Sequence, residues 1–136
     1  MSKANLNRLT KLQKKAVRIM SNSAYNAHSG PILKQFNILK IEHIIDFELI
    51  KIGYMYTNSK LPDPIMNLFN PNSFNHQYNT RARNFPRIEP HKTAIYHKSF
   101  LCNSPTQWLL LPPAIRSATS TKSLSNRFKI HTTANY

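Results

Sequence analysis

The stretch ILKIEHIIDFELIKIGYMYTNSKLP, residues 38–62, constrains the fold more than any other part of this chain. At helical pitch Ile41, Ile44, Ile45, Leu49, Ile52, Met55 and Tyr56 share one side, while Phe47, Ile50 and Tyr54 cover much of the other. A helix apolar nearly all round has to be covered from several directions, so the stretch reads as a central core helix and the rest of the chain as its cover. Three of the five acids, Glu42, Asp46 and Glu48, lie on it. Glu48 points into the apolar arc, and a buried carboxylate needs a partner, so a Lys or Arg from another helix is expected beside it. That acid reads as half of a structural ion pair, because no second carboxylate or histidine is spaced to work with it in catalysis.

The covering elements follow from periodicity and punctuation. In KANLNRLTKLQKKAVRIM, residues 3–20, Leu9, Leu12, Ala16, Ile19 and Met20 form an apolar face, with Lys11, Lys14, Lys15 and Arg18 on the opposite side. Ser21, Asn22 and Ser23 then break the helix by offering side-chain hydrogen bonds to the backbone. A short second helix opens at Ser29-Gly30-Pro31, with Ser29 as its cap and Ile32, Leu33, Phe36 and Leu39 as its apolar side. Asp63 and Pro64 start another short helix, docked by Ile65, Met66, Leu68 and Phe69. Residues 71–92 are rich in proline and asparagine and read as a long extended loop, in which Arg81, Arg83, Arg87 and Lys92 meet one acid, Glu89. Alternation through Ala94, Tyr96, Lys98 and Phe100 suggests a strand, although no partner strand is evident. Ser104-Pro105 then reads as the cap of a turn carrying Trp108 to Leu111, which Pro112 and Pro113 stop, and a last helix is anchored by Leu124 and Phe128. The expected fold is therefore mainly α: one small domain of about five helices with one long basic loop. In chain order its parts are the amphipathic and core helices (1–70), the basic loop (71–92), and a Trp/Pro element with the last helix (93–136).

Charge bounds the function. Nineteen Lys and Arg against five acids give a net charge of +14 and a sequence pI near 10.3, which suits a phosphate-bearing partner: RNA, DNA or an anionic membrane surface. The structural alternative is a solvated basic surface. No apolar run approaches the roughly 20 residues of a membrane span. Cys102 is the sole cysteine, so no intrachain disulfide forms; it reads as a buried thiol in a reducing, intracellular compartment, nuclear or cytoplasmic. The basic amphipathic opening, with no acid before Glu42, also has the character of a mitochondrial presequence. His28, His43, His76, His91, His97 and His131 lack metal-ligand spacing; His91 and His97 pair on a loop at most, and surface histidine is the ordinary account. Neither a metal site nor a cofactor site is expected.

Four segments in this order, LNRLTKLQKKAVRIM, the run from GPILKQFNILKIEHI to YMY, HQYNTR, and QWLLLPPAIRS with a trailing NRFK, resemble the C-terminal segment of reverse transcriptases of non-LTR (LINE-type) retrotransposons. The resemblance spans nearly the whole chain. It implies a segment lying beyond the polymerase palm that helps hold RNA and the template-primer duplex. Carried over position by position, it points to Lys14, Lys15 and Arg18, and to His76, Tyr78, Asn79, Thr80 and Arg81. The family commonly has Gly before the tryptophan of its last motif and Asn after it. Here NSPTQWLLLPP has neither, which suggests a diverged copy. A polymerase needs paired aspartates for two metal ions, and the chain has only Asp46 and Asp63, far apart. Taken alone it is expected to catalyse nothing, with the polymerase palm as a candidate partner.

The expected nucleic-acid contacts are thus Lys11, Lys14, Lys15 and Arg18 on the first helix, with Tyr78, Arg81, Arg83 and Arg87 in the loop, the two groups sharing one face. Tyr78 offers a ring on which an unpaired base can stack, and the guanidinium forks of Arg81 and Arg83 match phosphate. The competing account packs Tyr78 under the loop and turns Arg81 inward to carbonyls or to Glu48. An inert structural relic, or a small basic interaction or mitochondrial protein, are the other function classes the sequence allows.

Overall fold

The computed structural model describes residues 3–74, 78, 80 and 83–136. Among them run eight α-helices: α1 (Lys3–Met20), α2 (Ser29–Gln35), α3 (Ile41–Thr57), α4 (Asp63–Met66), α5 (Ala94–His97), α6 (Phe100–Leu110), α7 (Pro113–Arg116) and α8 (Thr121–Ala134). Five of these have seven residues or more, and the described residues contain no strand, so the protein is mainly α. Its backbone contacts gather into two units, residues 1–47 with 118–136, and residues 48–117. The boundary falls inside α3, after Phe47.

In the first unit α1 packs on α2, and α2 on α8. Val17, Ile32 and Leu33 form its buried centre, with Ala27, Ile38 and Tyr136 packed around them. Leu124 and Phe128 anchor α8 as expected, and Phe128 meets Phe47 with ring centroids 5.3 Å apart. The rotation of α1 is fixed by polar groups. Gln13 reaches across to the α2–α3 junction, where its Nε2 donates to the Leu39 carbonyl at 2.7 Å and its Oε1 accepts from the Ile41 N–H at 3.1 Å. Arg18 Nε donates to the Ala27 carbonyl at 2.7 Å. With that side turned inward, the face expected to be the apolar contact stays outside: Leu12 is 62% exposed and Ile19 70%, with Leu9 and Met20 also exposed. The buried apolar residue of α1 is Val17, a flank of the expected stripe. Ser29 also takes a different place, since His28 is the N-cap of α2 and Ser29 is its first, buried residue.

In the second unit the later half of α3 faces α6. The fully buried side chains of α3 are Ile50 and Tyr54, from the smaller of its two apolar sides. Gly53 sits directly against Trp108: a Cβ there would lie 2.7 Å from the Trp108 Cβ. Tyr54 meets the same indole edge-on, ring centroids 6.1 Å apart, and Ser104 Oγ donates to the Leu49 carbonyl at 2.8 Å. Phe69 joins Tyr56 and Phe100 in edge-to-face pairs. Trp108, Leu111 and Ile115 are all buried, so the tryptophan–proline motif is a core element, bent by Pro112 between α6 and α7.

Three expectations are corrected here. The expected strand through Ala94–Phe100 is instead a short helix, a turn at Lys98 and Ser99 and the start of a second helix, because Thr93 caps α5 by accepting from the Tyr96 N–H and α6 already begins at Phe100. Ser104 and Pro105 therefore lie inside α6 instead of capping it. Glu48 is 59% exposed and pairs with Lys51 of its own helix at 2.8 Å, a contact one turn away that meets the carboxylate's need without a second helix.

Three helices end alike. After α1 the Ser23 N–H reaches the Arg18 carbonyl and Asn22 takes φ 50°; after α2 the Ile38 N–H reaches Leu33 with Asn37 at φ 53°; after α3 the Lys60 N–H reaches Met55 with Ser59 at φ 52°. This is the Schellman closure, which usually uses glycine. The chain assigns it to Asn and Ser, while neither of its two glycines has positive φ.

Ala at position 53 has better helix propensity than Gly by about 1 kcal/mol, but the clash is with a Cβ that cannot rotate away. Gly53→Ala is expected to destabilise the protein by about 1–3 kcal/mol in urea unfolding. Ser59→Gly relieves a left-handed Cβ and is expected to stabilise by about 0.5–1 kcal/mol in the same measurement.

Candidate nucleic-acid interface

Lys11, Lys14, Lys15 and Arg18 follow the i, i+3, i+4, i+7 spacing that places side chains on one helical face, a ridge about 10 Å long. α1 carries no acid, and Lys11, Lys14 and Lys15 are exposed with no ion pair among the described residues. Their charges therefore face solvent unneutralised. Arg18 differs: it is half-buried, and its Nε is committed to the Ala27 carbonyl. The structural role and the candidate contact meet in that one residue, because a guanidinium keeps further N–H donors when Nε is used.

Sequence reasoning missed Arg8 and Tyr25. A shallow concavity beside the ridge is lined by Arg8, Lys11, Leu12, Lys15, Arg18 and Tyr25. It continues into a second hollow shared by Lys15, Arg18 and Tyr25 with Ile19, Asn22 and Ser23. Tyr25 is 86% exposed, in the turn that follows α1. That turn is brought back by the Schellman closure at Asn22 and by Ala27 accepting from Arg18. The result is a cationic row with a flat ring at its end. The sequence signal is slight: a tyrosine amid polar residues a few positions past a basic helix, visible only once the turn direction is known.

The loop cluster belongs to the other unit. Its base is closed by backbone bonds, Asn72 N–H to Phe85 O at 3.0 Å, Ser73 N–H to Arg83 O at 2.9 Å and Arg87 N–H to Asn70 O at 2.7 Å, beside a bridge between Pro71 and Pro86 and a 3-10 turn at Asn72–Phe74. The loop is thus less irregular than its composition suggests. Tyr78 is exposed, whereas Arg83 and Arg87 are half-buried. Arg87 has its Nε 3.8 Å from Glu89, which offsets part of its charge. Arg81, His76 and Asn79 lie outside the described residues. The ridge on α1 belongs to the first unit, and Tyr78, Arg83 and Arg87 belong to the second.

No helix is long and apolar enough to cross a membrane, among the described residues. Replacing Lys11, Lys14 or Lys15 singly by Ala is expected to change stability by less than about 0.5 kcal/mol, as for exposed residues generally. Arg18→Ala, which removes a charged donor from a half-buried carbonyl, is expected to cost about 1–2 kcal/mol; thermal unfolding of the four variants separates the two classes. No family model matches the chain, and neither a curated protein nor a solved structure similar to it was found.

Proposed function

We propose that this protein binds RNA or DNA without strong sequence preference through the basic ridge of α1. The observation that carries the reading is the row of exposed, unpaired lysines on a helix without acids, ending beside the exposed ring of Tyr25. Lysines at this spacing track a phosphate backbone and release its counterions, which supplies affinity but no base readout. Tyr25 adds a stacking surface for an unpaired base, so single strands gain most. Arg83, Arg87 and Tyr78 form a second, weaker contact in this reading, because the two arginines are half-buried.

The resemblance to the segment that follows the palm of non-LTR retrotransposon reverse transcriptases agrees with this role, and under it the chain is non-catalytic by itself. The exposed Leu9, Leu12 and Ile19 favour the alternative of an inert relic, which leaves apolar surface uncovered where the palm once docked. Reading the coding sequence upstream for a strand-turn with adjacent aspartates tests the family assignment separately from the binding.

Binding is tested by titrating labelled single-stranded RNA and duplex DNA at several salt concentrations. Log affinity is expected to fall linearly with log salt. The Lys11→Gln, Lys14→Gln, Lys15→Gln triple variant is expected to lower the duplex slope by about 0.9 for each phosphate that it leaves unneutralised. Tyr25→Ala is expected to weaken single-strand binding by about 1–3 kcal/mol and to leave the duplex slope unchanged. A slope equal in the triple variant and the parent would remove the ridge from the interface.

A further inference from the structure

We propose that His91, His97 and Cys102 form a site for a zinc-class divalent cation, independent of the basic ridge. One ligand atom from each of the three lies within 4.8 Å of the other two. His97 Nδ1 is 3.7 Å from Cys102 Sγ. Two ligands on a tetrahedral zinc, with Zn–N and Zn–S bonds of ordinary length, stand about 3.5 Å apart, so this pair is already at coordination distance. The two sides that involve His91 are at most 4.8 Å, so an ion would draw that imidazole in by up to about 1.3 Å.

A second observation concerns the third ligand. His91 Nδ1 lies 2.9 Å from the Glu89 carbonyl, to which it donates as Nδ1–H. That bond occupies Nδ1 and leaves Nε2 as the nitrogen available to a metal. A ligating histidine characteristically uses its other nitrogen in this way, on a backbone carbonyl or a carboxylate. The ring also lies beside the other aromatic groups, with its centroid 4.9 Å from that of Tyr96 and 5.3 Å from that of His97.

The chain arrives at this arrangement by helix ends. Thr93 caps α5, so His97 closes that helix; the chain then turns at Ser99 into α6, and Cys102 stands in the first turn. His91 precedes the Thr93 cap and folds back over both. Burial is graded across the set: Cys102 is buried, His91 half-buried and His97 exposed. The sulfur is thus withheld from bulk solvent while the His97 side is open, which suits three protein ligands and a water in the fourth position. Two imidazoles and a thiolate without a carboxylate favour Zn2+ or Co2+ over Mg2+ or Ca2+. Binding displaces the thiol proton to solvent and involves no redox step. Such an ion would clip the segment before α5 to the start of α6.

The test uses the full chain, reduced, and Co2+ alone as the probe. One equivalent of Co2+ is expected to produce a thiolate-to-cobalt charge-transfer band and the visible bands of a tetrahedral ion, both lost on adding Zn2+. Cys102→Ser is expected to remove the charge-transfer band. His97→Ala, a change at an exposed position, is expected to weaken Co2+ binding by more than about tenfold, since losing a ligand costs at least as much as losing an outer partner. His131→Ala, an exposed histidine on α8, is the control and is expected to bind as the parent does. Helical circular dichroism of each variant verifies that it is folded. Absence of the charge-transfer band in the folded parent, or equal Co2+ affinity in folded His97→Ala and His131→Ala, would overturn the site.

Discussion

The side chain of Gln13 sets the terms for the first unit. Its amide gives and takes one hydrogen bond each with the backbone where α2 hands over to α3. A half-buried amide used on both ends tolerates little rotation, because turning the helix leaves a carbonyl and an N–H unsatisfied, at about 1–3 kcal/mol for each group so exposed. Arg18 repeats the constraint one face-turn later, on the Ala27 carbonyl. Between them these two contacts decide which side of α1 is in and which is out. The lysine row is outward because Gln13 and Val17 are inward, and the Leu9, Leu12 and Ile19 stripe is outward for the same reason.

This explains why the extent of α1 is legible in its sequence and its orientation is not. Hydrophobic periodicity places the apolar residues on one face, but it assumes that this face meets the core. Here two polar side chains with specific backbone partners compete with the stripe. Those partners, Leu39, Ile41 and Ala27, are distant in sequence or lie in a turn, where no local pattern reveals them. The same limit applies to α3, whose larger apolar arc is only partly covered while Ile50 and Tyr54 on the smaller side are sealed. It applies again to Glu48, where an i+3 lysine satisfies the acid locally.

Other parts are legible because their signals are local. The mainly helical character, the extent of α1, the existence of α3, the Leu124 and Phe128 anchors and the buried lone thiol follow from spacing and composition alone. Alternation in residues 94–100 misleads, since four residues of helix between two N-caps carry too little periodicity to distinguish 3.6 from 2. The lysines of the candidate interface are visible as a charged helical face. Tyr25 is not, because its position depends on the left-handed residue at Asn22, and that conformation is common only for glycine. The proposed metal ligands are spaced by two helix ends instead of by a turn or knuckle, so the usual ligand-interval patterns pass over them.

Pro105 has a consequence for what sustains α6. It lies in the interior of α6, where it withholds the N–H that would serve the Leu101 carbonyl, and it is flanked by Ser104 and Thr106, poor helix formers. Eleven residues of such composition do not sustain a helix in water. What holds them is external: the Ser104 hydroxyl on the Leu49 carbonyl, and the Trp108 indole laid over Gly53. α6 is thus too short and too poor in helix formers to persist alone, and its stability rests on these contacts with α3. α1, built from leucine, lysine, glutamine and alanine, is under no such obligation and can begin to wind before anything covers it.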